Sequence, residues 1–307
     1  MGKLVIVGSV AFDEVETLFG KSGVILGGAG TYIGLAAHHF EVDSSIVSVV
    51  GGDFPEEYLK VFSDRKINTD GLKIEKEGKT FFWRGKYHDD LIGRDTLETQ
   101  LNVMENFQPQ VPPTYKDAEV VMLGNLHPSV QLSVLEQMQN PKLVVLDTMN
   151  FWMDQNMNEL KEVISQIDVI TINDEEARQL SGEHSLVKAN RVIQEMGPKT
   201  VVIKKGEHGA LLFQEDQMFF APALPMEEVF DPTGAGDTFA GGFTGYLAKT
   251  NDYSFKSMKK AIIYASNLAS FCVEKFGPER LLELSPEEVT NRLKIFKSLT
   301  QFNIDLA

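Results

Sequence analysis

Short apolar runs bounded by turn-forming residues alternate with stretches of helical periodicity along most of the chain. Runs of this length, followed by amphipathic segments, read as strands buried on both faces and joined by helices. Strands are predicted at residues 4–7, 45–50, 120–123, 143–146, 168–172 and 200–203, and helices at 31–40, 55–64, 129–138, 174–180 and 186–196. The order then changes. Residues 209–213 and 217–221 read as an antiparallel pair with no helix between them, and three helices follow from about Gly234 to the end. The rhythm implies one α/β domain over residues 1–307, a central mostly parallel sheet flanked by helices.

Two stretches break the rhythm. Residues 12–18 and 80–88 read as strands without helices of their own, and predict a small β lid from parts of 12–26 and about 79–95. In the second stretch Phe81, Trp83 and Tyr87 alternate onto one face, with Phe82, Arg84 and Lys86 on the other. That face is either the inner side of an edge hairpin or a cover that keeps water from a reacting site.

Composition narrows the class. The 307 residues are 43% hydrophobic and 24% charged, an ordinary globular balance. No apolar run approaches the roughly 20 residues a bilayer-spanning helix needs, so no membrane span is expected. The start carries one basic residue and a short apolar run before Asp13, Glu14 and Glu16, without a signal-type cleavage segment; a cytoplasmic protein is expected. Cys272 is the only cysteine, which excludes an intrachain disulfide and suggests a core position. A net charge of −15 argues against a nucleic-acid partner, because that attraction needs a basic face. An anionic small molecule would have to be held by local features such as helix N-termini and backbone N–H groups.

Several phosphate and metal motifs fail on inspection. Gly20-Lys21-Ser22 resembles the end of a P-loop, but Val15 stands where the leading glycine is required. Gly28-Ala29-Gly30 opens a helix, yet Ile33 occupies the third glycine position of the dinucleotide fingerprint. His38 and His39 are adjacent and point to different sides of a helix, a poor metal pair.

One segment passes. Between Phe230 and Phe243, Asp231 and Thr233 are capping residue types and the run after Gly236 is small and apolar, so a helix begins at Gly234 or just after it. With Gly234, Ala235 and Gly236 there, nothing bulky keeps an anion from the N–H groups of Ala235, Gly236 and Asp237. A carboxylate at Asp237 is costly beside a phosphate unless it has a task, and taking the proton of an attacking hydroxyl is such a task. The competing reading is a glycine-rich helix start that serves close packing alone, as Gly241 and Gly242 are expected to do.

The run Asp231-Pro-Thr-Gly-Ala-Gly-Asp237 resembles the signature of the PfkB, or ribokinase-like, carbohydrate kinases. Further pieces follow in that family's order: Gly8 with Asp13, Gly27-Gly28, Val50-Gly51-Gly52-Asp53, Asn173-Asp174-Glu175-Glu176, and Lys204-Lys205-Gly206-Glu207-His208-Gly209. The resemblance implies a ribokinase-like fold and transfer of the γ-phosphoryl group of MgATP to a hydroxyl of a small molecule. It makes Asp237 the base and Gly234, Ala235 and Gly236 the anion hole, and assigns Lys204, Gly206 and Gly209 to the ATP side. Asn173 and Glu176 match a motif that organises Mg²⁺ through water, although Asn173 with Glu176 three residues on is also a good capping box. Asp13, Gly27 and Gly28 match acceptor-binding positions, and Asp147 with Asn150 follows a strand that could line the same pocket. Asp231 and Thr233 match positions associated with a monovalent cation, K⁺.

There are departures. Tyr32 replaces an asparagine of sugar-specific relatives, Ala29 stands where ribokinases carry lysine, and Phe151 and Trp152 occupy the place of a usual arginine, which suggests an aromatic acceptor pocket. The reading leans to a sugar kinase. A nucleoside kinase is the alternative, and a catalytically inactive ligand-binding relative is the rival from another class. The aromatic face of the lid could instead clasp a second copy as a homodimer.

Overall fold

The structure, a computed structural model, describes residues 2–301. The first half of the chain alternates strand and helix and adds an excursion. Its elements are β1 (Lys3–Val7), β2 (Ala11–Thr17), β3 (Gly20–Gly27), α1 (Ala29–His38), β4 (Asp43–Gly51), α2 (Glu56–Asp64), β5 (Asn68–Glu75), β6 (Phe82–Tyr87) and β7 (Arg94–Gln100). Then come β8 (Val120–Leu123), α3 (Pro128–Leu135), β9 (Leu143–Asp147), α4 (Asn150–Gln155), α5 (Met157–Ile164), β10 (Val169–Asn173), α6 (Asp174–Ser181), α7 (Leu186–Glu195) and β11 (Thr200–Lys204). The chain closes with β12 (Ala210–Gln214), β13 (Gln217–Ala221), α8 (Ala235–Thr250), α9 (Phe255–Cys272), α10 (Glu279–Glu283) and α11 (Pro286–Thr300).

Nine strands form one sheet in the order β13-β12-β11-β10-β9-β8-β1-β4-β5, antiparallel only where β12 and β13 join. Alternation explains why helices cover both sides: Leu4 and Ile6 of β1 enter one apolar cluster with α1, α8 and α9, while Val5 and Val7 enter the other with α5 and α6. Each such side chain, fully buried, contributes about 1.5–3 kcal/mol relative to exposure. Among the described residues no helix is long and apolar enough to cross a membrane.

The excursion forms a second sheet, β3-β2-β6-β7, in which β2 and β6 run parallel and the outer pairs antiparallel. Asp13 is in register with Trp83, and Tyr87 with Arg94, so these four share a side. The opposite side carries exposed ion pairs, Glu16 with Lys21 and Lys86, and Arg84 with Glu98. Phe81 lies just before β6, and Tyr87 is only 3% exposed, so the anticipated aromatic face is carried mainly by Trp83. The sheet also runs on to Gln100, five residues past the anticipated limit at 95.

The elements the sequence hid are polar or short. β5 buries only Gly71 and Leu72 at the sheet edge, β7 is almost wholly exposed, and α4 buries only Met153. A five-residue helix, α10, makes the final helices four instead of three. His38 and His39 are both half-buried, their imidazoles 5.8 Å apart in a tilted contact.

Candidate active site

The carboxyl ends of β9, β10 and β11 converge on the start of α8, as expected for a ligand crevice in a parallel sheet. Gly234 is the N-cap of α8, with φ +76° and its missing Cβ replaced in space by the ring of Tyr32, 2.4 Å from where that atom would be. Only glycine satisfies both demands. The turn departs from expectation in one respect: the N–H of Ala235 donates to the carbonyl of Pro232 at 3.2 Å. Gly236 and Asp237 therefore supply the backbone N–H groups that have no acceptor on another residue among those described, the Asp237 N–H lying close to its own carboxyl. Behind the turn Asp231 is fully buried; its two oxygens accept from the N–H groups of Thr233 (2.8 Å) and Gly277 (3.0 Å), which pins the loop. Cys272 packs beneath it, its Sγ 3.6 Å from the carbonyl of Thr233, and burial pushes its thiol up to about 12.

Lys204 ends β11 and reaches across β10 to Asp147 at the end of β9, with Nζ 2.7 Å from Oδ2. The same Nζ lies 3.3 Å from where a Cβ on Gly236 would be, so a mostly buried ammonium flanks the free N–H groups. Burial works against the Lys204 ammonium, but Asp147 and Glu176 outweigh it and hold its pKa above the ordinary value. Asn173 and Glu176 make the capping box of α6, Asn173 Oδ1 accepting from Glu176 N (2.8 Å) and Glu176 Oε2 from Asn173 N (2.7 Å). Burial raises Glu176 to about 7; Lys204 pulls it down and Asp147 pushes it up. Gly206 and Gly209, both at positive φ, close the tight turn that follows Lys204.

On the other flank Asp13 lies against the paired glycines. A Cβ on Gly27 would sit 2.1 Å from its carboxyl carbon, and the Gly28 N–H donates to Oδ2 at 3.4 Å. The glycine pair is therefore the seat of this carboxylate. The start of α1 is no anion site: the N–H groups of Ala29 and Gly30 donate to Ser9. Burial raises Asp13 to about 7, helped by Asp231 and Asp237 and opposed by the Gly28 N–H and Arg94. Asp237 joins the two flanks. Burial, then Asp147, raise it to about 7 against Lys204 and Arg94.

The sequence-predicted residues thus fall into two groups, Asp13 with Gly27 and Gly28, and Lys204 with Asp147, Glu176 and Asn173, meeting at Asp237. Asp147, read as an acceptor-pocket residue, is ion-paired within the second group. Phe151 and Trp152 meet edge to face, and Trp152 also touches His127 and donates to Asn125 (2.8 Å). Sequence reasoning missed Arg94, whose charge is felt at Asp13, Glu176 and Asp237. Its only signal was a position in register with Tyr87 on a strand that was itself not predicted.

The model of the pfkB family carbohydrate kinases matches residues 3–283. The chain is 31% identical over 250 residues to a cytidine kinase of Thermococcus kodakarensis, covering 79% of this chain and 88% of that protein. It is 27% identical to a ribokinase of Haemophilus influenzae, covering 90% and 94%. The structure of aminoimidazole riboside kinase from Salmonella enterica, complexed with aminoimidazole riboside and an ATP analog, superposes with a TM-score of 0.74 at 22% identity, covering 95% and 99%.

Proposed function

The chain belongs to the pfkB family of carbohydrate kinases, and from that premise we propose that this ATP-dependent sugar or nucleoside kinase acts on a nucleoside. One observation carries the choice. Asp13 and Trp83 are in register on the same side of the small sheet, which sets a carboxyl suited to vicinal hydroxyls beside a flat indole suited to a base. The similarity to a cytidine kinase supports the same reading. A compact sugar is favoured instead by Tyr87, whose phenol is committed to Thr233 Oγ1 at 3.1 Å and is lost to stacking.

In this reading Asp237 takes the proton of the acceptor hydroxyl while its oxygen bonds to the γ-phosphorus; the bond from that phosphorus to the bridging oxygen breaks and ADP departs with the electron pair. The N–H groups of Gly236 and Asp237 and the Lys204 ammonium face the charge that develops on the transferred group. Asp147 holds Lys204 in place, and Gly206 and Gly209 shape the nucleotide side. Asn173 and Glu176 are the residues for Mg²⁺: a carboxyl that burial raises to about 7 gains from a cation beside it, and hard oxygen donors suit an ion that keeps several waters. Bound there, Mg²⁺ would neutralise the phosphate oxygens. A monovalent cation at Asp231 and Thr233 would share the Asp231 carboxylate oxygens, which already accept the N–H groups of Thr233 and Gly277.

A coupled ADP-release screen over ribose and the four common nucleosides tests the reading; no turnover with any nucleoside sinks it. Trp83→Ala then separates the acceptors. It is expected to raise KM for a nucleoside about tenfold or more, the scale of a lost stacking contact, whereas for a sugar Asp13→Ala would do the greater damage. A change in sedimenting mass of Trp83→Ala with acceptor KM intact would mark a subunit contact instead. Acidity gives a separate check. Because the free enzyme's Asp237 must be ionised and is raised to about 7, kcat/KM is expected to fall as pH drops below about 7. A profile flat down to pH 5 would remove it as the base.

A further inference from the structure

Arg94 begins β7 and lies opposite Tyr87 in the β6–β7 register. Its guanidinium sits 5.5 Å from the ring of Trp83, and its Nη1 is 3.4 Å from the Tyr87 phenol oxygen, which in turn is 3.1 Å from Thr233 Oγ1. Thr233 adjoins Gly234, so a single phenol separates this cation from the start of α8. The other basic side chains of the small sheet, Lys21, Arg84, Lys86 and His88, each have a carboxylate within 4 Å, and Arg94 has none among the described residues. An exposed guanidinium set beside an indole and a phenol, without a protein anion among the described residues, is arranged for an anion from outside. Its charge is felt at Asp13 on one flank, at Glu176 on the other and at Asp237 between them, so both groups of residues lie within its electrostatic reach.

We propose that Arg94 contacts the transferring phosphoryl group itself, as a cation supplied by the small sheet that complements Lys204 from the opposite side. The inference rests on the kinase reading above. A contact that strengthens as charge spreads over the equatorial oxygens acts on kcat more than on the binding of either substrate.

Arg94→Gln is expected to lower kcat about 10- to 100-fold, the range for a hydrogen bond to a charged group, with KM for cytidine and ATP within about threefold of the parent. Arg94→Lys restores part of the loss. A purely structural role would not give that split or that rescue. A kcat within threefold of the parent, or a loss confined to cytidine KM, overturns the inference. Thermal melting in MgADP with and without fluoroaluminate, a mimic of the transferred group, gives a second reading. The parent should gain stability from MgADP and more from fluoroaluminate, and Arg94→Gln should keep the first gain and lose the second. An equal fluoroaluminate gain in both proteins overturns the Arg94 contact alone, whereas a parent that MgADP does not stabilise overturns the kinase reading and the contact with it.

Discussion

Asp237→Asn is expected to lower kcat by about 10²–10⁴-fold, the usual contribution of a positioned base, while MgATP affinity changes little, because the N–H groups and Lys204 remain. The same variant carries a signature in stability. Asp237 is raised from 3.8 to about 7, so the folded protein holds that proton more tightly than the unfolded chain does. The cost of ionising it in the fold is absent below about pH 4 and complete above about pH 7. The asparagine protein should therefore melt above the parent at pH 8, with the gap closing as pH falls towards 4. Steady-state kinetics and a melting series on both proteins check the pair of expectations. Turnover within a few-fold of the parent would remove Asp237 from the chemistry, and a gap independent of pH would refute its buried, strained state.

Gly236→Val should cost about 10²–10³-fold in kcat/KM, the scale of disabling a preorganised anion hole. The fold should tolerate the change. A Cβ at Gly236 meets only the Lys204 ammonium, at 3.3 Å, and the residue lies at ordinary helical φ. The β-branched side chain would stand between Lys204 and the free N–H groups, where the anion must come. Gly234→Ala offers the contrast, because positive φ and the Tyr32 ring make it a folding lesion. Circular dichroism melts of both variants with kinetics of Gly236→Val decide the matter: a folded, fully active Gly236→Val protein would refute the anion-hole assignment.

What could be read from the sequence follows physical scale. Strands buried on both faces announce themselves as apolar runs, and β1, β8, β9, β10 and β11 fell within a residue or two of their predicted bounds. The α8 motif was legible because its glycines, cap residues and carboxylate are contiguous. β5 and β7 were not, because strands with an exposed side satisfy their polar groups with water and leave no apolar pattern. The loss of the Ala235 N–H to Pro232 depends on the turn's backbone geometry, which residue types do not specify. Arg94 was invisible for a related reason: its meaning comes from register with Tyr87, a pairing across sheet strands rather than along the chain. The pairing of Lys204 with Asp147 is of the same kind, joining strands 57 positions apart.

The small sheet is fastened to the segment leading into α8 at two points, the Tyr87–Thr233 hydrogen bond and the stack of Phe19 on Phe230, 4.4 Å between centroids. Releasing both costs about 1–3 kcal/mol on the usual scale for one hydrogen bond and one aromatic pair. At about 1.4 kcal/mol per factor of ten, the unlatched form is then roughly a tenth to a hundredth of the population. In the kinase reading proposed above, traffic through the crevice, including departure of the phosphorylated product, would be gated by that minority. The residence time of product, rather than the bond-making step, would then set the ceiling on turnover, and slackening either fastening would speed the cycle while weakening its hold on the acceptor.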